Sequence, residues 1–125
     1  MNGDDMAKIL GLGGVFIKCA DTKAYCAWWQ KHMGVNPSEW GSMEWKNDGK
    51  AFTLLSPFKA DTDYFAPSNE RFMINLRVDD VPAMLEKAKS GGAEIVGDVS
   101  DEGYGVFGWF IDPLGIKIEL WQDNA

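Results

Sequence analysis

The apolar positions of the chain follow two periods in turn. From Leu12 to Cys19 they fall on every second residue, with Val15, Ile17 and Cys19 on one side and Gly14, Phe16 and Lys18 on the other. A period of two predicts a strand. From Asp21 the period lengthens. Tyr25, Trp28, Trp29, His32 and Met33 sit at i, i+3, i+4, i+7 and i+8, which predicts a helix with one buried stripe, capped by Asp21 and stopped by Gly34. Met43–Lys46 and Ala51–Leu55 read as strands around an Asn47-Asp48-Gly49 turn, a hairpin signal because these residues tolerate left-handed backbone. Ser56 to Arg71 has no period; its aromatics Phe58, Tyr64 and Phe65 mark it as a linker or a lid over a cleft.

The pattern then returns. Phe72–Val78 alternates, with Ile74, Leu76 and Val78 opposite Met73, Asn75 and Arg77. Asp80 caps a second helix, Pro82 fits its first turn, and Val81, Met84, Leu85 and Ala88 form its stripe up to Gly91-Gly92. Ala93–Val96 is a short strand and Gly97–Gly105 a polar loop. Val106–Ile111 and Ile116–Trp121 close the chain as a hairpin around Asp112-Pro113 and Gly115. Val15 falls on Ile74, Lys18 on Arg77 and Asp21 on Asp80 at one offset of 59 residues. A repeat dictates architecture. The expected fold is α+β: two βαβββ modules forming a curved, mostly mixed sheet with the helices on its outer face. One domain spans 9–122, with module 1 at about 9–56, a linker or lid at 57–71 and module 2 at about 72–122; residues 1–8 read as a tail.

The faces follow from the alternation. Val15, Ile17, Cys19, Ile74, Leu76, Val78, Ile118 and Leu120 are uniformly apolar and belong under the helices. The reverse faces carry Phe16, Lys18, Met73, Asn75, Arg77, Lys117, Glu119 and Trp121. That mixture is too polar for a core and too aromatic for a wet surface, so a partly enclosed concave cleft is expected there.

Composition narrows the partners. The 125 residues carry a net charge of −7 and no basic run, so nucleic acid is not an expected partner. No apolar run is long enough to span a membrane and the first residues are unlike a secretory signal; the expected location is the cytoplasm. Cys19 and Cys26 lack metal-ligand spacing and read as buried free thiols. The single histidine, His32, lies in the last turn of the first helix, where it packs or caps.

The doubled layout, the Phe16-Ile17-Lys18 strand leading to Asp21, the Val78-Asp79-Asp80-Val81 run, and the closing Phe110-x-Asp112-Pro113-x-Gly115-x-x-Ile118-Glu119-Leu120-Trp121 resemble the vicinal oxygen chelate superfamily. That superfamily includes glyoxalases, extradiol dioxygenases and bleomycin-resistance proteins. The resemblance covers about residues 9–122 and is closest to small single-domain glyoxalase-like proteins. It implies four metal-ligand positions, commonly His or Gln, Glu, His and Glu. Here the first falls on Gly14, the second near Thr53 or Leu54, the third on Met73, and only the fourth, Glu119, is a ligand type. One carboxylate does not hold a divalent ion against water. The resemblance therefore implies a fold without its usual metal, no other cofactor, and a homodimer.

The function expected is metal-free binding of a small molecule in the cleft. Its contacts are Phe16, Lys18, Trp45, Asn75, Arg77, Trp109 and Trp121, and an acidic aromatic site suits a cationic or amphipathic ligand. If the protein is an enzyme, Glu119 is the catalytic residue, a general base, with Lys18 or Arg77 holding an anionic substrate and Tyr64 or Tyr104 donating protons. The other readings are a metal-dependent lyase, isomerase or dioxygenase, and a dimeric interaction protein without catalysis.

Overall fold

Two aspartates start the two helices. In this computed structural model, which describes residues 6–46 and 52–123, Asp21 accepts a hydrogen bond from the Ala24 amide at 2.9 Å and Asp80 from the Ala83 amide at 3.1 Å. Each satisfies an amide that the first helical turn leaves without a carbonyl. Helix α1 (Thr22–Met33) ends at Gly34 with φ 71°, a left-handed conformation that glycine adopts at no steric cost. Helix α2 (Val81–Ser90) ends at Gly91.

The strands are β1 (Ile9–Cys19), β2 (Met43–Lys46), β3 (Phe52–Lys59), β4 (Phe72–Val78), β5 (Glu94–Ile95), β6 (Ser100–Asp101), β7 (Gly105–Ile111) and β8 (Lys117–Asp123). They form one mixed sheet in the order β2-β3-β1-β4-β8-β7-β5, with β6 also paired to β7. The fold is α+β of the glyoxalase type. The register itself carries the repeat. At the centre β1 and β4 run antiparallel, with Val15 opposite Ile74, Gly14 opposite Asn75 and Phe16 opposite Met73. At the offset of 59 the last two pairs exchange, so a pseudo-twofold axis passes through the Val15–Ile74 pair. Each central strand has a parallel partner from its own module, β3 for β1 and β8 for β4. Each of those has an antiparallel neighbour, β2 and β7.

Several boundaries differ from the sequence reading. Strand β3 runs on to Lys59, so the aperiodic stretch begins at 60. Pro57 fits there because β2 begins opposite Leu55, and no β2 residue needs its missing N–H. The polar loop after Gly97 contains β6. Residues 6–8 are not a loose tail: Ala7 is buried, the Lys8 amide donates to Asp79, and Lys87 donates to the Ala7 carbonyl at 2.7 Å. The expected Asn47-Asp48-Gly49 turn lies outside the described residues.

The core sits under α2. Val78, Val81, Leu85, Ile118 and Leu120 are buried together, with Ile74, Leu76, Met84 and Phe110 packed against them. The corresponding face of module 1 is not sealed. Val15, Ile17 and Cys19 are only half-buried. The stripe expected to be buried on α1 is not: Trp28, His32 and Met33 are exposed, Tyr25 and Trp29 half-buried, and Cys26 alone is buried. The large rings pack on one another along the helix surface, Trp28 against both Trp29 and His32 at 5.3 Å, and the small Cys26 faces in. No helix among the described residues is long and apolar enough to cross a membrane.

Candidate functional site

Alternation puts Glu119 and Trp121 of β8 on the sheet face away from α2, since Ile118 and Leu120 lie under that helix. Their cross-strand partners on β7, Trp109 and Phe107, share that face, as does Asn75 on β4. From module 1, β3 presents Phe52, Leu54, Ser56 and Phe58, and β1 presents Phe16. The stretch after β3 folds back over one end. Phe65 is fully buried beside Phe16 and Met73. The Ser68 hydroxyl donates to the Gly115 carbonyl at 2.6 Å, and Tyr64 reaches the floor.

The floor is Glu119, only 4% exposed. Asn75 Nδ2 donates to its Oε1 at 2.6 Å, Trp109 Nε1 donates to Oε2 at 2.8 Å, and the Tyr64 hydroxyl donates to Oε2 as well. A buried carboxylate needs such donors, because desolvating it without them costs several kcal/mol. Asn75 is aimed by a missing side chain. Its Oδ1 lies where a Cβ on Gly13 would sit, 1.8 Å from that position, so only glycine leaves room for the amide and turns Nδ2 toward Glu119. Burial, then the charge and hydrogen bond of Glu119, raise the Tyr64 pKa above the ordinary tyrosine value, so the phenol stays a donor at neutral pH. Lys117 donates to the Tyr64 carbonyl at 2.6 Å and lies over the Tyr64 and Trp109 rings. Its pKa is lowered by burial, with Glu119 and Asp63 pulling the other way.

Around this floor lie two contiguous cavities of about 370 Å³ each, with Phe16, Phe58, Tyr104, Phe107 and Glu119 in both. The first adds Trp40, Glu44, Phe52, Asn75 and Trp121. The second adds Tyr64, Glu102 and Trp109. No Lys, Arg or His is among the described residues lining either one.

The residues singled out from sequence therefore divide. Phe16, Asn75, Trp109, Glu119 and Trp121 come together in the cleft, with Tyr64 and Tyr104. Lys18, Trp45 and Arg77 do not line it. Trp45 pairs with Thr53, one residue out of phase with the cleft-facing Phe52 and Leu54, and points to the other side. Lys18 lies under the covering stretch, 5.6 Å from the Phe65 ring. Arg77 lies over Gly11, its Nη2 2.7 Å from where a Cβ would stand. Phe52, Phe58, Phe107, Glu44 and Glu102 were not anticipated. The signal for the first three was present: Phe52, Leu54, Ser56 and Phe58 alternate, as do Phe107 and Trp109.

The superfamily metal does not fit these residues. The β1–β3 and β4–β8 registers make Ser56, not Thr53 or Leu54, the repeat counterpart of Glu119, since Phe16 opposite Ser56 matches Asn75 opposite Glu119. Ser56 offers a hydroxyl, Gly14 nothing, Met73 a thioether buried among aromatics, and Glu119 two oxygens already facing N–H and O–H donors. No cluster of three His, Cys, Asp or Glu residues placed to hold a metal occurs among the described residues. Such a set is poorly matched to a hard or borderline divalent ion.

Comparisons with known proteins place the geometry. A family model described as glyoxalase-like domain matches residues 14–121. No curated protein matches the sequence. Among solved structures, a methylmalonyl-CoA epimerase of Streptomyces coelicolor, in complex with 2-nitronate-propionyl-CoA, superposes with a TM-score of 0.70 at 15% identity, covering 94% of this chain and all of that one. The Mycobacterium tuberculosis methylmalonyl-CoA epimerase gives 0.62 at 20%, covering 94% and 90%. A Mn(II)-bound glyoxalase from Novosphingobium aromaticivorans gives 0.61 at 19%, covering 95% of this chain and 40% of that one. At these identities the likeness is one of fold.

Proposed function

The chain belongs to the glyoxalase-like domain family, and we propose that it binds a small cationic molecule with an aromatic body in the cleft, without the superfamily metal. One observation carries this reading: Glu119 lies buried on the floor of an aromatic-walled cleft that no described cation lines. The three donors to Glu119 are neutral dipoles; the cation that acts on it electrostatically, Lys117, is buried against the Tyr64 and Trp109 rings and lines neither cavity. Glu44 and Glu102 add negative charge at the walls. Phe52, Phe107 and Trp121 line the first cavity, and the attraction of a cation to an aromatic ring is worth about 0.5–2 kcal/mol, the more as water is excluded. Cavities of this volume suit a drug-sized ligand.

A general-base role for Glu119 has less support. Three donors already face its oxygens, and Lys18 and Arg77, which would have held an anionic substrate, lie outside the cleft. Exposed Trp28, Met33, Leu10 and Leu12 are the apolar side chains that a second copy of the chain would cover in the homodimer implied by the resemblance. Sedimentation showing only a 13.9 kDa species at micromolar protein would rule that dimer out.

The test of the ligand class uses isosteres. Tryptophan fluorescence is titrated with N-methylquinolinium, neutral quinoline and anionic 2-naphthoate. The quinolinium is expected to bind most tightly, and Glu119→Gln to weaken it about tenfold or more while leaving quinoline within about threefold. Naphthoate binding as well as quinolinium would sink the reading.

A further inference from the structure

The two oxygens of Glu119 are not equivalent. Oε2 accepts from both the Tyr64 hydroxyl and Trp109 Nε1; Oε1 accepts only from Asn75 Nδ2. A carboxylate oxygen offers two lone pairs. Oε2 is therefore filled, and Oε1 keeps one acceptor position. The donors also sort by cavity. Tyr64 and Trp109 line only the second, Asn75 only the first, and Glu119 both. The open position thus belongs to the first cavity, among Phe52, Phe107 and Trp121.

The filled side is held in place. Trp109 Nε1 is a donor and nothing else. Tyr64 is tethered through its carbonyl to Lys117, and its neighbour Phe65 is fully buried. On the open side, Asn75 is oriented by its seat against Gly13, and with a 2% exposed side chain it has little room to turn.

Resting on the cation-binding reading above, we propose that the cleft selects a cation carrying a single N–H donor, a protonated tertiary amine on an aromatic body, and discriminates against amidinium and guanidinium heads. A planar forked cation gains its advantage by meeting both oxygens of a carboxylate at once. Here the second prong meets an oxygen already occupied by Tyr64 and Trp109. It must either displace a donor or turn that N–H away from the carboxylate, and in both cases the forked contact is lost. A quaternary ammonium keeps the attraction to the rings but has no N–H for Oε1.

Calorimetric titration with three naphthalene probes tests this: N,N-dimethyl-(2-naphthylmethyl)ammonium, its N,N,N-trimethyl analogue and 2-naphthamidinium. The tertiary ammonium is expected to bind about tenfold tighter than the amidinium and measurably tighter than the trimethyl analogue. Tyr64→Phe, which opens a second position on Oε2, is expected to strengthen the amidinium and bring the ratio within about threefold. Amidinium or trimethyl binding as tight as the tertiary amine in the unmodified protein overturns the proposal. So does an unchanged ratio in a Tyr64→Phe protein that melts as one cooperative unit. If all three bind without this preference, the selectivity is wrong and the cation-binding reading stands. If none binds, both fall.

Discussion

The two helices begin alike and finish differently. Each starts at an aspartate cap in the same place in the repeat, and the position four residues after each cap's first helical residue is buried in both: Cys26 in α1, Leu85 in α2. Around Leu85 the packing is tight. A Cβ on Gly108 of β7 would stand 2.7 Å from Leu85 Cδ1 and 2.9 Å from Val81 Cγ1, so the absence of a side chain at Gly108 is what lets α2 settle onto the strand. Around Cys26 there is little to pack. Trp28 is 49% exposed and Met33 57%, their apolar area left in water. The same split reaches the site. The sealed module supplies the charge, Glu119, and two of its three donors, Asn75 and Trp109; the third, Tyr64, comes from the covering stretch. The looser one supplies walls, Phe16, Phe52 and Phe58, with Ser56 where its partner module has the carboxylate. A buried charge needs rigid donors, and the anchored half provides them.

The largest effect expected from this contrast is in the paired truncations. Leu85→Ala removes a buried branched side chain from the main core and is expected to cost about 2–4 kcal/mol of unfolding free energy. Cys26→Ala, at the equivalent position, is expected to cost less than about 1 kcal/mol. Urea denaturation of both variants reads the difference. Equal losses would mean that module 1 is packed as firmly as module 2 and would break the comparison.

The contrast also shows what the sequence could and could not say. Strand and helix identity, both caps and the repeat were legible because each rests on local chemistry: a period, an aspartate, a glycine. The side of Glu119 followed from Ile118 and Leu120. The stripe on α1 was misread because periodicity ranks faces by apolar size, and here the large rings satisfy one another on the helix surface. Lys18 was misplaced because the stretch that covers it has no period, and no local rule says where such a stretch lands. The Tyr64 bond to Glu119 spans 55 positions; nothing near either residue announces it. Trp45 was lost to phase alone, since β2 takes its register from its pairing with β3.

A smaller effect separates the stretch that covers the cleft from the module it is fastened to. Tyr64 bonds Glu119 and is held by Lys117, both on β8, so the cover is latched to module 2. Its pKa in the folded protein is raised above 10.0, chiefly by burial and then by Glu119. Above 10.0 the unfolded chain gives up this proton while the folded protein keeps it. The folded state then holds more protons than the unfolded, and stability falls as pH rises. The contribution of Tyr64 is thus fully present below 10.0 and lost through the alkaline range. Lys117 acts in the opposite sense. Its folded pKa lies below 10.5, so its stability term rises with pH until that value is passed. Comparing the protein with Tyr64→Phe, which keeps Lys117, removes that second contribution to first order. The difference in unfolding free energy between the two is expected to be level below pH 10.0 and to shrink above it. Because Tyr64 is 37% exposed, water screens part of the interaction and the change is the smallest predicted here. A difference that stays level through the alkaline range would show that the phenol is not latched to Glu119 in solution, and the filled oxygen on which the ligand selectivity rests would then be open.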